Sequence, residues 1–137
     1  MKTLFTAEAI SKGGRSGTIR TPDGMPIVTL GNPLEKDGGK RGPSPELLFA
    51  GAYSASFHGA LSDAAKTLGI PVTESTVRAL VSLIEDAQGS RSLAVELHAR
   101  LPGIHRGQAQ ALMEEAHKMC PYSKAVRGET IVMTLLD

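Results

Sequence analysis

The residues of this chain best suited to chemistry are one thiol, two serines on an apolar stretch, and four dispersed histidines. The thiol, Cys120, sits in the run Met119-Cys120-Pro121-Tyr122-Ser123-Lys124-Ala125-Val126-Arg127-Gly128. Free cysteine packs like a small hydrophobe, so it can be passive core. It can equally be half of a redox pair whose other half is missing, since a single cysteine forms no disulfide within its own chain. Ser56, His58 and Asp63 suggest a hydrolytic triad, but residues two apart on a helix face different ways. No Gly-x-Ser-x-Gly elbow surrounds the serine. The plainer reading has Ser54 and Ser56 returning their hydroxyls to backbone carbonyls of a close-packed helix. His58, His98, His105 and His117 share no ligand spacing, and a lone cysteine among scattered histidines makes a poor metal site. His117 lies three residues before Cys120, where it can polarise the thiol or be an ordinary helical residue.

The elements that must carry these residues follow from periodicity and turn chemistry. Residues 3–9 alternate weakly and read as a strand. Gly13-Gly14 and Gly17 bracket Arg15 in a turn, followed by short strands near 18–21 and 26–29 joined through Pro22-Asp23-Gly24. The glycine-rich, charged stretch 31–42 reads as an exposed loop. At Ser44-Pro45-Glu46 the period changes: a capping hydroxyl, a proline with no amide to strand, and a carboxylate at the positive end of the dipole announce a helix. Leu47, Ser54, Phe57, Leu61, Ala65 and Leu68 then recur at helical spacing until Gly69-Ile70-Pro71. The other face is small, with Gly51, Ala52, Ala55, Ser56, Gly59, Ala60 and Ala64, which predicts a central helix buried on most sides.

Val72 to Ile84 and Ser90 to Ala99 read as strands linked by Asp86-Ala87-Gln88-Gly89. Pro102-Gly103 opens a second helix with a stripe of Ile104, Ala111 or Leu112, Ala116 and Met119. A half-helix covers 121–127, and Glu129 to Leu136 closes the chain as a strand and a candidate for a central position. The order β-β-β-α-β-β-α-β, with no repeat and no βαβ rhythm, predicts an α+β fold. It is expected as one domain, with an N-terminal β region and loop over 1–42, the central helix over 44–69, and a β-β-α-β region over 72–137.

Length and composition narrow the function. A chain of 137 residues can bury roughly two thirds of its unfolded surface, enough for a core without metals or disulfides. A net charge of +1, scattered basic residues, and few aromatics beyond Phe5, Phe49 and Phe57 exclude a nucleic-acid partner. No stretch approaches the roughly 18 apolar residues of a membrane span. Met1-Lys2-Thr3-Leu4-Phe5-Thr6 has no hydrophobic signal core. With a single cysteine, these features fit a cytoplasmic, reducing compartment.

Three segments together carry a resemblance. They are Gly13-Gly14-Arg15-Ser16-Gly17; Ser44-Pro45-Glu46-Leu47-Leu48-Phe49-Ala50-Gly51-Ala52-Tyr53-Ser54-Ala55-Ser56-Phe57; and Ala116-His117-Lys118-Met119-Cys120-Pro121-Tyr122-Ser123-Lys124-Ala125. In order and spacing, over essentially the whole chain, they resemble the organic hydroperoxide resistance (Ohr) branch of the OsmC/Ohr family. The resemblance implies antiparallel sheets, a long buried central helix with a second helix, and an intertwined homodimer with active sites at the subunit interface. It implies a thiol-dependent peroxidase that reduces organic and fatty-acid hydroperoxides, uses no bound metal or organic cofactor, and is recharged by a dithiol such as a lipoylated protein. It assigns the resolving cysteine to Cys120, and the active-site arginine and glutamate to Arg15 and Glu46. The peroxidatic position falls on Ser56, where the family carries cysteine.

That departure sets the functional question. A thiolate attacks a peroxide oxygen and becomes a sulfenic acid. A nearby guanidinium lowers the thiol's pKa and stabilises charge on the oxygens, and a carboxylate holds the guanidinium in place. Phe49, Phe57, Leu61 and Met119 are candidates to line an apolar substrate pocket, and each is also an ordinary core residue. A serine hydroxyl cannot form a sulfenate, so the chain reads either as a Cys→Ser variant of a working peroxidase or as a natural binding protein for small apolar ligands. Glu46 and Ser56 are ten residues apart, about 15 Å along an unbroken helix. Sharing a site therefore requires a helix break near Gly51 or a meeting across a dimer interface.

Overall fold

The change of period at Ser44 is where the longest element starts. Ser44 Oγ accepts from the Leu47 amide at 3.1 Å, satisfying one donor that a helix start leaves unpaired. Helix α1 then runs over Pro45–Leu68 without interruption. It ends at Gly69, whose backbone is left-handed (φ 67°), a conformation that costs glycine little. The structure, a computed structural model, describes residues 1–36, 41–128 and 130–137. Positions 37–40 of the expected loop, and Glu129 at the expected start of the last strand, lie outside the described residues. The chain divides into two compact units, Met1–Leu48 and Phe49–Asp137.

In the first unit, strands β1 (Ile10–Lys12), β2 (Thr18–Arg20) and β3 (Pro26–Thr29) form an antiparallel sheet in that order. A single 3₁₀ turn at Gly14–Ser16 separates β1 from β2. Gly17 is required there, because a Cβ would run into the Lys12 carbonyl. The strand expected over 3–9 does not form, and Leu4 and Phe5 are each 83% exposed. The reason is the partner: β2 ends at Arg20, opposite Ile10, and Thr21 turns away, its amide donating to the Met25 carbonyl at 2.9 Å.

In the second unit, β4 (Thr76–Glu85) and β5 (Arg91–Arg100) pair antiparallel from Thr76↔Arg100 to Glu85↔Arg91. Asp86 organises their connection by accepting from the Gln88 and Ser90 amides, each at 2.9 Å. Helices α2 (Arg106–Met119) and α3 (Pro121–Ala125) follow, then β6 (Ile131–Leu136). Strand β6 pairs with β5 in parallel, from Ala94↔Ile131 to Ala99↔Leu136. The expected antiparallel sheet is therefore mixed here, β5 is its centre, and β6 is an edge. A parallel neighbour needs a crossover of a dozen residues or more, and the segment 101–130 supplies it with two helices. This one β-α-β passage escapes a search for a repeated rhythm. Helix α2 also begins later than Pro102-Gly103, because Gly103 is left-handed (φ 74°). His105 provides the cap instead, its Nδ1 accepting from the Gly107 amide at 3.3 Å.

The core of this unit joins one face of α1 (Tyr53, Phe57, Leu61) to β5 (Val95, Leu97, Ala99) and α2 (Leu112, Met113, Ala116). Burying each of the large side chains contributes about 1.5–3 kcal/mol. Of the two alternatives for the α2 stripe, Leu112 points inward and Ala111 outward. Helix α1 is less buried than its composition predicts: Gly51, Ala52, Ala55 and Gly59 are exposed, and Leu47 is 60% exposed. Small residues permit close approach, but no described residue of their own unit covers Ala52, Ala55 and Gly59.

Leu97 is fully buried at the centre of β5. Leu97→Ala is expected to cost about 2–5 kcal/mol. In urea unfolding this appears as a lower midpoint with an unchanged slope.

Candidate functional site

Arg15 is carried by the one-turn 3₁₀ segment between two glycines that the local backbone requires. Gly13 before it is left-handed (φ 84°), and Gly17 after it admits no side chain. Glu46 sits in the first turn of α1. The two side chains meet in a bidentate pair: Arg15 Nη1 donates to Glu46 Oε2 at 3.0 Å, and Nη2 donates to Oε1. Such a fork fixes a guanidinium in orientation as well as in position. The arginine's hydrogen bonds hold the Glu46 carboxyl below its ordinary range against the opposing effect of burial. The same bonds raise Arg15, so the guanidinium stays charged.

Cys120 belongs to neither helix beside it. Pro121 starts α3, and a residue before proline is pushed out of the helical region. Cys120 accordingly has φ −63° and ψ 123°. Its amide still donates to the Ala116 carbonyl at 2.8 Å, and its carbonyl accepts from the Lys124 amide at 3.0 Å. The corner is thus tied to both helices while its side chain points inward, fully buried. Cys120 Sγ lies 3.6 Å from Ser56 Oγ on α1. Ser54 follows the plain expectation for a helical serine, donating to the Gly51 carbonyl at 2.9 Å. Ser56 instead faces the thiol.

The structure thus brings the four polar site residues together as two pairs, Arg15 with Glu46 and Ser56 with Cys120. It removes one expected route between Glu46 and Ser56, because α1 passes through Gly51 unbroken. Ser56 opens on a groove of about 320 Å³ lined also by Ala55, Gly59, Asp63, Met119 and Pro121. Of the apolar residues expected near substrate, Met119 borders this groove. Phe57 and Leu61 are fully buried in the core. Phe49 packs edge-on against Tyr53 and Tyr122, with ring centroids 6.0 and 6.3 Å apart.

The histidines serve local structure. His58 Nε2 meets Ser75 Oγ at 2.8 Å, and Asp63 lies 4.0 Å from Lys66, so neither joins Ser56 in a triad. His98 sits between Asp137 and Glu96, at 2.7 and 3.1 Å, and these hydrogen bonds raise its pKa. Among the described residues, no cluster of three His, Cys, Asp or Glu side chains is arranged to hold a metal ion. No described helix is long and apolar enough to cross a membrane.

His117 bonds to Ser123 rather than to the thiol, and this opens a network that sequence reasoning missed. Ser123 Oγ lies 2.7 Å from Tyr53 Oη and 2.9 Å from His117 Nδ1. Tyr53 and Ser123 are both fully buried. Burial raises the Tyr53 phenol, while burial and the charge of Arg127 lower the His117 imidazole. The available signal was a tyrosine within the buried stripe of α1 and a serine one turn beyond Cys120. Neither residue type announces a partner on a different helix.

With this geometry in place, comparison with known proteins is direct. The family model for OsmC-like proteins matches residues 37–135. The organic hydroperoxide resistance protein OhrB of Bacillus subtilis is 40% identical over 130 residues, 94% of this chain and 95% of its own length. The organic hydroperoxide resistance protein of Xanthomonas axonopodis pv. citri is 37% identical over 141 residues, 98% of this chain and 96% of its own. The crystal structure of the B. subtilis protein superposes with a TM-score of 0.90 at 38% identity, covering 98% of this chain and all of that one (100%). A relative from Elizabethkingia anophelis, solved with thiocyanate bound, gives 0.88 at 39% identity over 100% of this chain and 99% of its own. The chain belongs to the OsmC family, in its organic hydroperoxide resistance branch.

Proposed function

We propose that the chain is the scaffold of a thiol-dependent peroxidase that reduces organic hydroperoxides, fatty-acid hydroperoxides included, to alcohols, with Ser56 standing where the attacking thiol acts. The observation that carries this reading is the approach of Cys120 Sγ to Ser56 Oγ at 3.6 Å inside a buried corner. The two side chains already meet, the first requirement for a disulfide between positions 56 and 120.

With cysteine at position 56 the cycle closes in three steps. The thiolate attacks the distal oxygen of the hydroperoxide, the O–O bond breaks, the leaving alkoxide takes a proton to become the alcohol, and the sulfur becomes a sulfenic acid. Cys120 then attacks that sulfur as thiolate and expels hydroxide, which leaves as water, forming the disulfide. An external dithiol, a lipoylated protein if the family resemblance holds for the reductant, reduces the disulfide by exchange and is itself oxidised. Arg15 favours the thiolate and stabilises charge on the peroxide oxygens, and Glu46 keeps its guanidinium aimed. The active site lies at the interface of an intertwined homodimer, where a second copy brings the arginine–glutamate pair to the 56–120 pair. The exposed small residues of α1 support such an approach. No metal or organic cofactor enters the cycle, and a reducing, cytoplasmic compartment suits it.

Serine stops the first step. Its hydroxyl is scarcely ionised near neutrality and has no counterpart of sulfenate chemistry, so the chain as written retains the fold and the groove without the oxidation. The groove beside Ser56 favours a second reading, a non-catalytic binding protein for small apolar or lipid-like ligands.

Ser56→Cys is expected to gain reduction of an organic hydroperoxide with a dithiol reductant, while the chain as written shows none. Turnover by the chain as written refutes the role given to Ser56, and inactivity of both forms favours the binding reading. In the Ser56→Cys background, Arg15→Ala is expected to lower kcat/KM by about 10²–10³. The pair also has a pH signature. Because Arg15 depresses the Glu46 pKa, its stabilisation is complete above the ordinary value of 4.5 and is lost as pH falls through the lower folded value. The stability difference between the protein and Glu46→Gln is expected to close over that acid range.

A further inference from the structure

We propose that Ser123 is a positioning residue for Cys120: the chain Tyr53–Ser123–His117 fixes the α2–α3 corner and holds Sγ against residue 56. The proposal rests on the reading of Cys120 as the resolving thiol. Backbone bonds tie Cys120 to each helix separately, but its own extended torsions leave the angle between α2 and α3 to be set by something else. Ser123 is the group that can set it. One buried hydroxyl joins α1 through Tyr53, α2 through His117, and α3 through its own backbone.

The spacing links this tie to the site. Tyr53 lies one helical turn before Ser56, His117 one turn before Cys120, and Ser123 one turn after it. The relay therefore spans the same two elements whose separation decides whether positions 56 and 120 touch. Arg127 adds a second strap, its guanidinium donating to the His117 carbonyl at 3.1 Å.

With the imidazole neutral and Nδ1 unprotonated, both hydroxyl protons of the relay are used: Tyr53 donates to Ser123, and Ser123 donates to His117 Nδ1. A proton on Nδ1 makes that nitrogen a donor to Ser123, and one of the two buried hydroxyl protons, on Tyr53 or on Ser123, is then left without an acceptor in the relay. The titratable and charged groups around the relay are Tyr53 on α1, Cys120 at the junction, and Arg127 beyond α3. Arg127 and burial both disfavour the imidazolium, so the relay is intact at neutral pH. It fails as pH falls below 6.5 through the lowered folded value of His117.

The test uses full-length Ser56→Cys equilibrated with reduced and oxidised glutathione, without hydroperoxide. Two protein thiols and one glutathione disulfide give one protein disulfide and two glutathione thiols, which carry the protons. Because Arg15 favours the thiolate at position 56, the equilibrium carries a pH dependence of its own, and the relay is read from the difference between Ser56→Cys with and without Ser123→Ala at each pH. Ser123→Ala is expected to lower the effective concentration of the thiol pair about tenfold or more. That difference is expected to close toward about pH 5, where the relay fails in both forms. An effective concentration unchanged within about twofold at neutral pH, or two profiles that stay parallel down to about pH 5, overturns the proposal. Tyr53→Phe keeps the ring and removes only the hydroxyl. If Ser123→Ala does not fold, a several-fold loss in Tyr53→Phe sustains the proposal and no loss overturns it. A disulfide that forms in glutathione but not with hydroperoxide sinks the peroxidase reading alone. Hydroperoxide reduction that is indifferent to the relay sinks this proposal alone.

Discussion

Pro121 forbids the residue before it a helical conformation, and the arrangement around the thiol depends on that prohibition. Without it α2 and α3 would be one helix, and residue 120 would project with the rest of its turn. With it, the chain bends at Cys120, α2 ends on the bond to Ala116, α3 begins with a residue that has no amide to satisfy, and the side chain turns inward. The bend also swings Ser123 back toward Tyr53 and His117. A covalent restriction at one ring thus makes the corner that a sulfur and a hydroxyl three residues away share.

The two polar pairs answer different physical demands. Arg15 and Glu46 are charged, so they need mutual orientation more than burial, and the bidentate fork supplies it while the arginine stays partly open to water. Ser56 and Cys120 meet where the groove reaches the core: the thiol is fully buried, the hydroxyl half-buried, and each is the other's partner. Replacing sulfur by oxygen at position 56 changes little in volume or hydrogen bonding. It changes reactivity almost entirely, because the difference lies in ionisation and in the oxidation states open to the atom. A fold can therefore survive this substitution with its site still recognisable.

Much of this was legible in the chain because the relevant signals are local. The start of α1 is written in Ser44, Pro45 and Glu46, and the β4–β5 hairpin in the alternation of Val77, Ala79, Val81 and Leu83 with the Asp86-to-Gly89 turn. The family segments singled out Arg15, Glu46, Ser56 and Cys120, whose side chains meet as two pairs. What was not legible depends on partners distant in sequence. Alternation over residues 3–9 promised a strand, but a strand exists only where another offers an edge, and β2 ends too soon. The six residues of β6 carry no mark of parallel or antiparallel pairing. Ser123 looks like any polar residue at a helix start until Tyr53 and His117 converge on it.

The parallel ladder between β5 and β6 also imposes an order on assembly. Its register joins Ala94 to Ile131, so the loop it closes contains α2, α3 and Cys120 between them. Closing so long a loop is slow compared with zipping the neighbouring hairpin. The hairpin can form while the thiol is still in a segment without its final neighbours.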